Sequence, residues 1–182
     1  MRQLKHHEYK LLKKSDFLQW KREGGRREAT VCRRYYVQDA QDYTTYSKVV
    51  GKLQKLALLL KALPEDDMMR IRFTDDMLNK LFDAGFIAAK NGLDQVSKMT
   101  VSAICRRRLP VMLVRLNFAE TLNLAVRFIE QGHIRIGPKV ITDPAILVTR
   151  NMEDFITWAD GSKIQRKVVS FNEKRDDYDL DA

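Results

Sequence analysis

A chain of 182 residues, 45% of them hydrophobic, is long and apolar enough to bury a real core, so wholesale disorder is excluded. Thirty-three Lys and Arg against 24 Asp and Glu leave a formal charge of +9, which favours a polyanionic partner without identifying it. Cys32 and Cys105 stand far apart without CxxC or zinc-type spacing, no apolar run reaches the length of a membrane span, and the N-terminus is too basic and interrupted for a signal peptide. The expectation is an intracellular protein with reduced thiols and with no metal, cofactor or membrane partner.

Leu4, Leu11 and Leu18 recur every seven residues and Leu12 widens the stripe, which predicts an amphipathic helix over 3–21 with Lys5, Lys10, Lys13, Lys14 and Lys21 around its polar side. Gly24-Gly25 is expected to end it. Residues 1–34 carry eleven Lys/Arg against four Asp/Glu, and composition alone leaves two readings of this arm: a docking element or a solvated surface helix. Val49, Leu53, Leu56, Leu60 and Leu63, at spacings of four, three, four and three, predict a helix over 46–63 that Pro64 stops, followed by a turn at Glu65-Asp66-Asp67. A further helix is expected after Thr74 as its cap, with Asp75 and Asp76 in the first turn, Met77, Leu78, Leu81 and Phe82 on the buried face and an end before Gly85. The apolar residues of this pair are expected in a core rather than in a binding groove.

The stretch 106–150 carries the most information. Arg106-Arg107-Arg108-Leu109-Pro110 opens a short apolar helix in which Pro110 suits the first position and Leu109, Leu113 and Leu116 share a side. Ala125, Phe128 and Ile129 do the same for a second helix, which runs into Gly132-His133 and a strand where Ile134 and Ile136 point one way and Arg135 the other. Residues 101–150 hold eight Lys/Arg against three acids. Arg106, Arg107 and Arg108 at a helix start can add to the dipole in holding phosphate oxygens. Arg135 and Lys139 extend the patch, and Arg115, Arg127 and Arg150 complete the candidate set. Against this stands the reading of a solvated basic run.

His133 reads as a cap on helix carbonyls, and His6 and His7 point about 100° apart on a helix, which makes no metal pair. Asn151 to Asp154 reads as a turn and helix start, and Phe155 and Trp158 as packing. From Phe171 onward five acids stand against two bases, as in a solvated end. No GxSxG, P-loop pattern, paired-carboxylate scaffold or Cys-His arrangement with supporting neighbours is present, so no catalytic residue is assigned.

Arg107-Arg108-Leu109, Ala119-Glu120-Thr121, Gly132-His133-Ile134, Lys139-Val140 and Asp143-Pro144 together resemble the RNA-binding domain named after small-subunit ribosomal protein S4. Two positions depart from the family pattern: Gly137-Pro138 stands where many relatives have Asn-Gly, and Leu122 and Val126 stand where many have a basic residue. The likeness continues through Leu4 to Glu8, Leu11 to Lys14, Asp16 to Leu18, Thr100 to Cys105 and Val148 to Asp154, and is similar to the branch found in the U3 small nucleolar ribonucleoprotein.

The resemblance implies a mainly helical α+β protein: a basic arm at 1–22, a helical scaffold at 23–105, an S4-type module of two helices and short strands at 106–158, and an extension with an acidic end at 159–182. It also implies a non-catalytic, nucleolar factor of the small-subunit processome that binds U3 snoRNA and pre-rRNA and promotes their pairing in 18S rRNA processing. Its protein partners would be the M-phase phosphoprotein scaffold subunit and other processome proteins. Two alternatives stay open: a ribosomal protein of the mature small subunit, and a protein-interaction module with incidental charge.

Overall fold

The computed structural model describes residues 2–14 and 22–172. Among them lie ten helices and one three-stranded antiparallel sheet of order β2-β1-β3, so the chain is α+β and mainly helical. Helix α1 (His6–Lys14) occupies part of the predicted arm, and the rest of that prediction, at 15–21, lies outside the described residues, as does the acidic tail from 173. Leu4, Leu11 and Leu12 are exposed.

Helix α2 (Arg22–Tyr35) corrects the expected stop, because it runs straight through Gly24-Gly25. Each glycine costs a helix interior only about 1 kcal/mol relative to Ala. The far end repays this, since Tyr35 is buried and Val31 and Cys32 pack on the same cluster.

Helix α3 (Ala40–Ala62) starts earlier than predicted and ends with Leu63 extended before Pro64, as the residue preceding a proline should be. Its inward face coincides with the leucine stripe only in part, at buried Leu60 and partly buried Leu53. Tyr46, Val50, Ala57 and Leu60 are buried, whereas Val49, Leu56, Leu58, Leu59 and Leu63 are exposed. Small Ala57 sits fully buried where α5 (Leu93–Ser97) packs against α3, with Leu93 and Val96 in the same cluster. Replacing Leu59, which is 67% exposed, with Gln should therefore change stability by no more than about 0.5 kcal/mol in urea denaturation. A loss of 2 kcal/mol or more, about the cost of truncating a core leucine, would show this face to be core after all.

Helix α4 (Met68–Asp83) likewise begins a full two turns before the predicted cap. The Asp67 carboxylate accepts from Met69 N at 2.9 Å and does the capping assigned to Thr74, whose buried hydroxyl lies inside the helix without a partner. Met77, Leu78 and Leu81 are buried and Phe82 partly so, as the sequence indicated.

After α6 (Val101–Cys105) the chain enters α7 (Leu109–Arg115), with Pro110 at the second rather than the first helical position. Leu109 N is not left orphaned, because it donates to Ile146 O. Helix α8 (Leu122–Glu130) is capped by Thr121 and packs on α7; β1 (Ile134–Ile136) pairs with β2 (Lys139–Val140) and with β3 (Ile156–Trp158). The module's core joins Leu109, Met112, Leu113, Ala125, Ile129, Ile134, Val148 and Ile156, while Leu116 is exposed at the end of α7. Gly137 takes φ +59 at the β1–β2 turn, so it supplies the unusual conformation that Pro138 cannot. Helix α9 (Arg150–Glu153) precedes β3, and α10 (Lys163–Phe171) follows it.

His133 corrects its own assignment in part. Its backbone N–H does cap α8, donating to Phe128 O at 2.9 Å, but its Nδ1 lies 2.9 Å from Ser162 Oγ, and Ser162 caps α10, so the ring ties the sheet to the last helix. Trp158 packs edge-on to Phe128 and against Phe118, but Phe155 is exposed and does not pack as expected.

Candidate nucleic-acid interface

The eight candidate cations divide by burial, and the division follows from what a guanidinium needs when it leaves water: acceptors for its donors and a carboxylate for its charge. Arg108 is 2% exposed. It donates through Nη1 to Asp42 Oδ2 at 2.6 Å and to the Tyr46 hydroxyl at 2.9 Å, both on α3. Burial alone pulls its pKa down, but the hydrogen bond it donates to Asp42 and the charges of Tyr46 and Asp42 outweigh it and leave the pKa above its ordinary value. Arg107 is also buried; its Nε donates to Val148 O at 2.8 Å and its Nη1 to Glu153 on α9. Arg150 donates to Phe82 O at 2.7 Å and Ile87 O at 2.9 Å, with its guanidinium 4.1 Å from the Phe82 ring centroid.

These three arginines correct the sequence reading. Arg107, Arg108 and Arg150 are pinned in place: Arg108 bonds to α3 and Arg150 to the end of α4, which joins the module to the scaffold, while Arg107 bonds to Val148 O and Glu153 within the module and leaves its Nη2 buried without a partner. Backbone contacts within the module hold the same segment, with Val148 N donating to Arg107 O and an isolated bridge pairing Arg108 with Leu147. Asp42, Tyr46 and Glu153 were missed as partners. The spacing of Asp42 and Tyr46 at i and i+4 on one helix face was the available signal.

Arg106, Arg115, Arg127 and Lys139 are exposed. Arg135 points out from β1 as expected, but it is held by Thr157 Oγ1 and Asp160 and its side chain is 31% exposed. On α8, Val126 is buried, so this position is core and cannot face RNA in either role, while Leu122 is half-buried. Arg106 and Arg115 come together at one cleft beside Arg107 and Arg150, whereas Lys139 and Arg135 belong to the sheet.

Cys105 sits in the joint as a fully buried residue. Burial pushes its thiol up to about 11 against the opposing pull of Arg108, so it is held in the protonated, unreactive form. Among the described residues no cluster of His, Cys, Asp or Glu could hold a metal ion, and no helix is long and apolar enough to cross a membrane.

Comparison with known proteins agrees with this two-part construction. Residues 3–106 match the family model of the ribosomal protein S4/S9 N-terminal domain, and residues 107–154 match that of the S4 domain. The U3 small nucleolar ribonucleoprotein protein IMP3 of Saccharomyces cerevisiae is 49% identical over 181 residues, covering 99% of both chains. The human protein of the same name is 48% identical over 183 residues and 100% of both. Small ribosomal subunit protein uS4 of Trypanosoma brucei brucei is 27% identical over 137 residues, 75% of this chain and 72% of its own. With the two domains in order and near-half identity from end to end, the chain belongs to the IMP3 family of U3 small nucleolar ribonucleoprotein proteins.

Proposed function

We propose that the chain is a non-catalytic nucleolar component of the U3 small nucleolar ribonucleoprotein that binds U3 snoRNA and pre-rRNA and favours their pairing during 18S rRNA processing and small-subunit assembly. The observation that carries this reading is the end-to-end likeness to proteins named for that particle, arm and extension included, where the uS4 likeness covers only three quarters of the chain. Exposed Arg106, Arg115, Arg127 and Lys139 supply the phosphate-facing charge. A protein that binds open RNA more tightly than self-paired RNA shifts the population toward the pairing-competent form, and needs no nucleotide to do so.

In the same proposal the chain divides into arm, scaffold, module and extension, and the arm and scaffold serve protein partners. The exposed apolar residues Leu11 and Leu12 on α1, Leu58 and Leu59 on α3 and Met68 and Phe73 on α4 fit docking by the M-phase phosphoprotein scaffold subunit and other processome proteins.

The test is a fluorescence assay of duplex formation between a U3 segment and its precursor-rRNA complement. Purified protein should raise the rate or extent of pairing without ATP, saturably, and less so as salt rises, with each single-strand phosphate contact contributing roughly 0.7 to the log-log slope. Binding that leaves both rate and extent unchanged would make the protein a tether. The reading as a mature-subunit protein predicts co-sedimentation with translating subunits, whereas the proposed one predicts co-sedimentation with U3 RNA and precursor particles.

A further inference from the structure

Between the end of α4 and the entry to α7 lies a cleft of about 320 Å³, lined among others by Gly85, Arg106, Arg107, Arg115, Arg150 and Glu153. Four arginines face a single carboxylate there, and Arg107 already holds that carboxylate. The acceptors of Arg150 are neutral carbonyls, so no acid offsets its charge. Among the described residues the guanidinium groups of Arg106 and Arg115 have no hydrogen-bond or ion-pair partner, although both side chains are exposed at the cleft. Arg107 adds a third open position, because its Nη2 is buried in the wall without an acceptor. Buried donors are rarely left unpaired in native proteins. The lining thus offers donors and positive charge that an anionic acceptor would complement.

We propose that the cleft holds one phosphodiester of the bound RNA, gripped by Arg106 and Arg115 together, with Arg107 and Arg150 as fixed positive charge behind them. This deepens the RNA-binding reading above and rests on it. The planar fork of a guanidinium matches the paired oxygens of a phosphate. Charge in the cleft would suit a phosphomonoester as well, so the choice of a phosphodiester rests on the S4 domain that supplies most of the arginines. The chain's excess of positive charge draws the same polyanion. The lining also crosses the junction of the two domains: Gly85 and Arg106 lie in the N-terminal one, Arg107, Arg115, Arg150 and Glu153 in the S4 domain. A single phosphate would thus bridge them.

Sharing one phosphate makes a quantitative claim. Arg106→Gln, Arg115→Gln and the double variant are compared with wild type for binding to single-stranded RNA across a salt series, after equal melting temperatures show that all are folded. Each single substitution should lower the log-log salt slope by up to roughly 0.7, and the double should lower it by no more than that, since one contact is being lost. A drop of about 1.4 in the double would mean two separate phosphates and overturn the shared site. The RNA is then scanned with one neutral methylphosphonate linkage at a time. Wild type should show one linkage whose neutralisation costs about ten-fold in affinity, the scale of a charge-assisted hydrogen bond, and the double variant should ignore that linkage. If wild type binds RNA but no linkage is special, or the double variant keeps the same sensitivity, the cleft is not a phosphate site and the RNA-binding reading survives. Capture of a phosphoserine peptide by the arginine pair, with RNA affinity unaltered, would overturn the assignment in favour of a protein ligand. If wild type fails to bind RNA at all, the underlying reading falls with it.

Discussion

Replacing Asp42 with Ala should cost about 3 kcal/mol of folding stability, although the residue lies on a helix far in sequence from the domain it holds. Arg108 would keep the Tyr46 hydroxyl but lose the one carboxylate that pairs with it among the described residues, while buried to 2% exposure. Removing one member of a buried pair costs ~3–5 kcal/mol because the other charge is left uncompensated. The low end applies because the Asp42 side chain is itself 26% exposed, so water can reach part of the site. Against a total of ~5–15 kcal/mol for a typical domain, this loss is large. Urea denaturation should show a lower midpoint at unchanged slope. The double variant Asp42→Ala, Arg108→Met should recover much of the loss, since burying an apolar side chain of similar length removes the orphan charge. A single variant within 1 kcal/mol of wild type would show that Arg108 finds water instead, and the joint would then be softer than its geometry indicates.

The Gly85→Ala variant should lose about 2–6 kcal/mol for a different reason. Gly85 has φ +76, where an L side chain is strained by ~1–3 kcal/mol, and its Cβ would stand 2.6 Å from both Cζ and Nε of Arg107. Arg107 cannot step aside freely, because Nε and Nη1 are bonded to Val148 O and Glu153, so overpacking adds roughly 1–3 kcal/mol. Gly51→Ala is the control: it sits inside α3 with nothing within 4 Å of the added Cβ and should stabilise by about 0.5–1 kcal/mol. Thermal unfolding of the pair reads both signs. Should Gly85→Ala melt with wild type, the guanidinium is not pinned and the two domains are less firmly joined at that point.

How much of this was legible in the chain differs between the module and the rest. Leu109, Leu113, Ala125, Ile129 and Ile134 could be placed in the module's core from periodicity, because short amphipathic elements with turn residues between them leave few alternative registers. Helix α3 misled because a hydropathy stripe counts large side chains. Its packing face uses Ala57, whose smallness lets α5 come close, and Tyr46, whose hydroxyl is spent on Arg108. The start of α4 was misplaced because Asp67, read as part of a turn, is itself the cap, and the helix runs on through Thr74.

The arginines show a sharper limit. In sequence, Arg106, Arg107 and Arg108 are three equivalent cations. In space, one is exposed and two are buried against carboxylates 46 and 66 residues away, a pairing that no local pattern encodes. The family likeness picked out the S4 domain but could not say which of its charges face outward.

The hairpin carries one more consequence. Strand β2 is an outer strand of the sheet, only two residues long, and it follows directly on Pro138, which has no amide hydrogen to offer. So short a ribbon, with Lys139 beside the proline, gives an incoming chain almost no ladder to extend, a common safeguard against edge-to-edge association. At this edge, unfolded and half-folded chains find almost nothing to extend as an extra strand. Partners reaching this edge must recognise side chains, and a contact here can be released without unzipping a backbone.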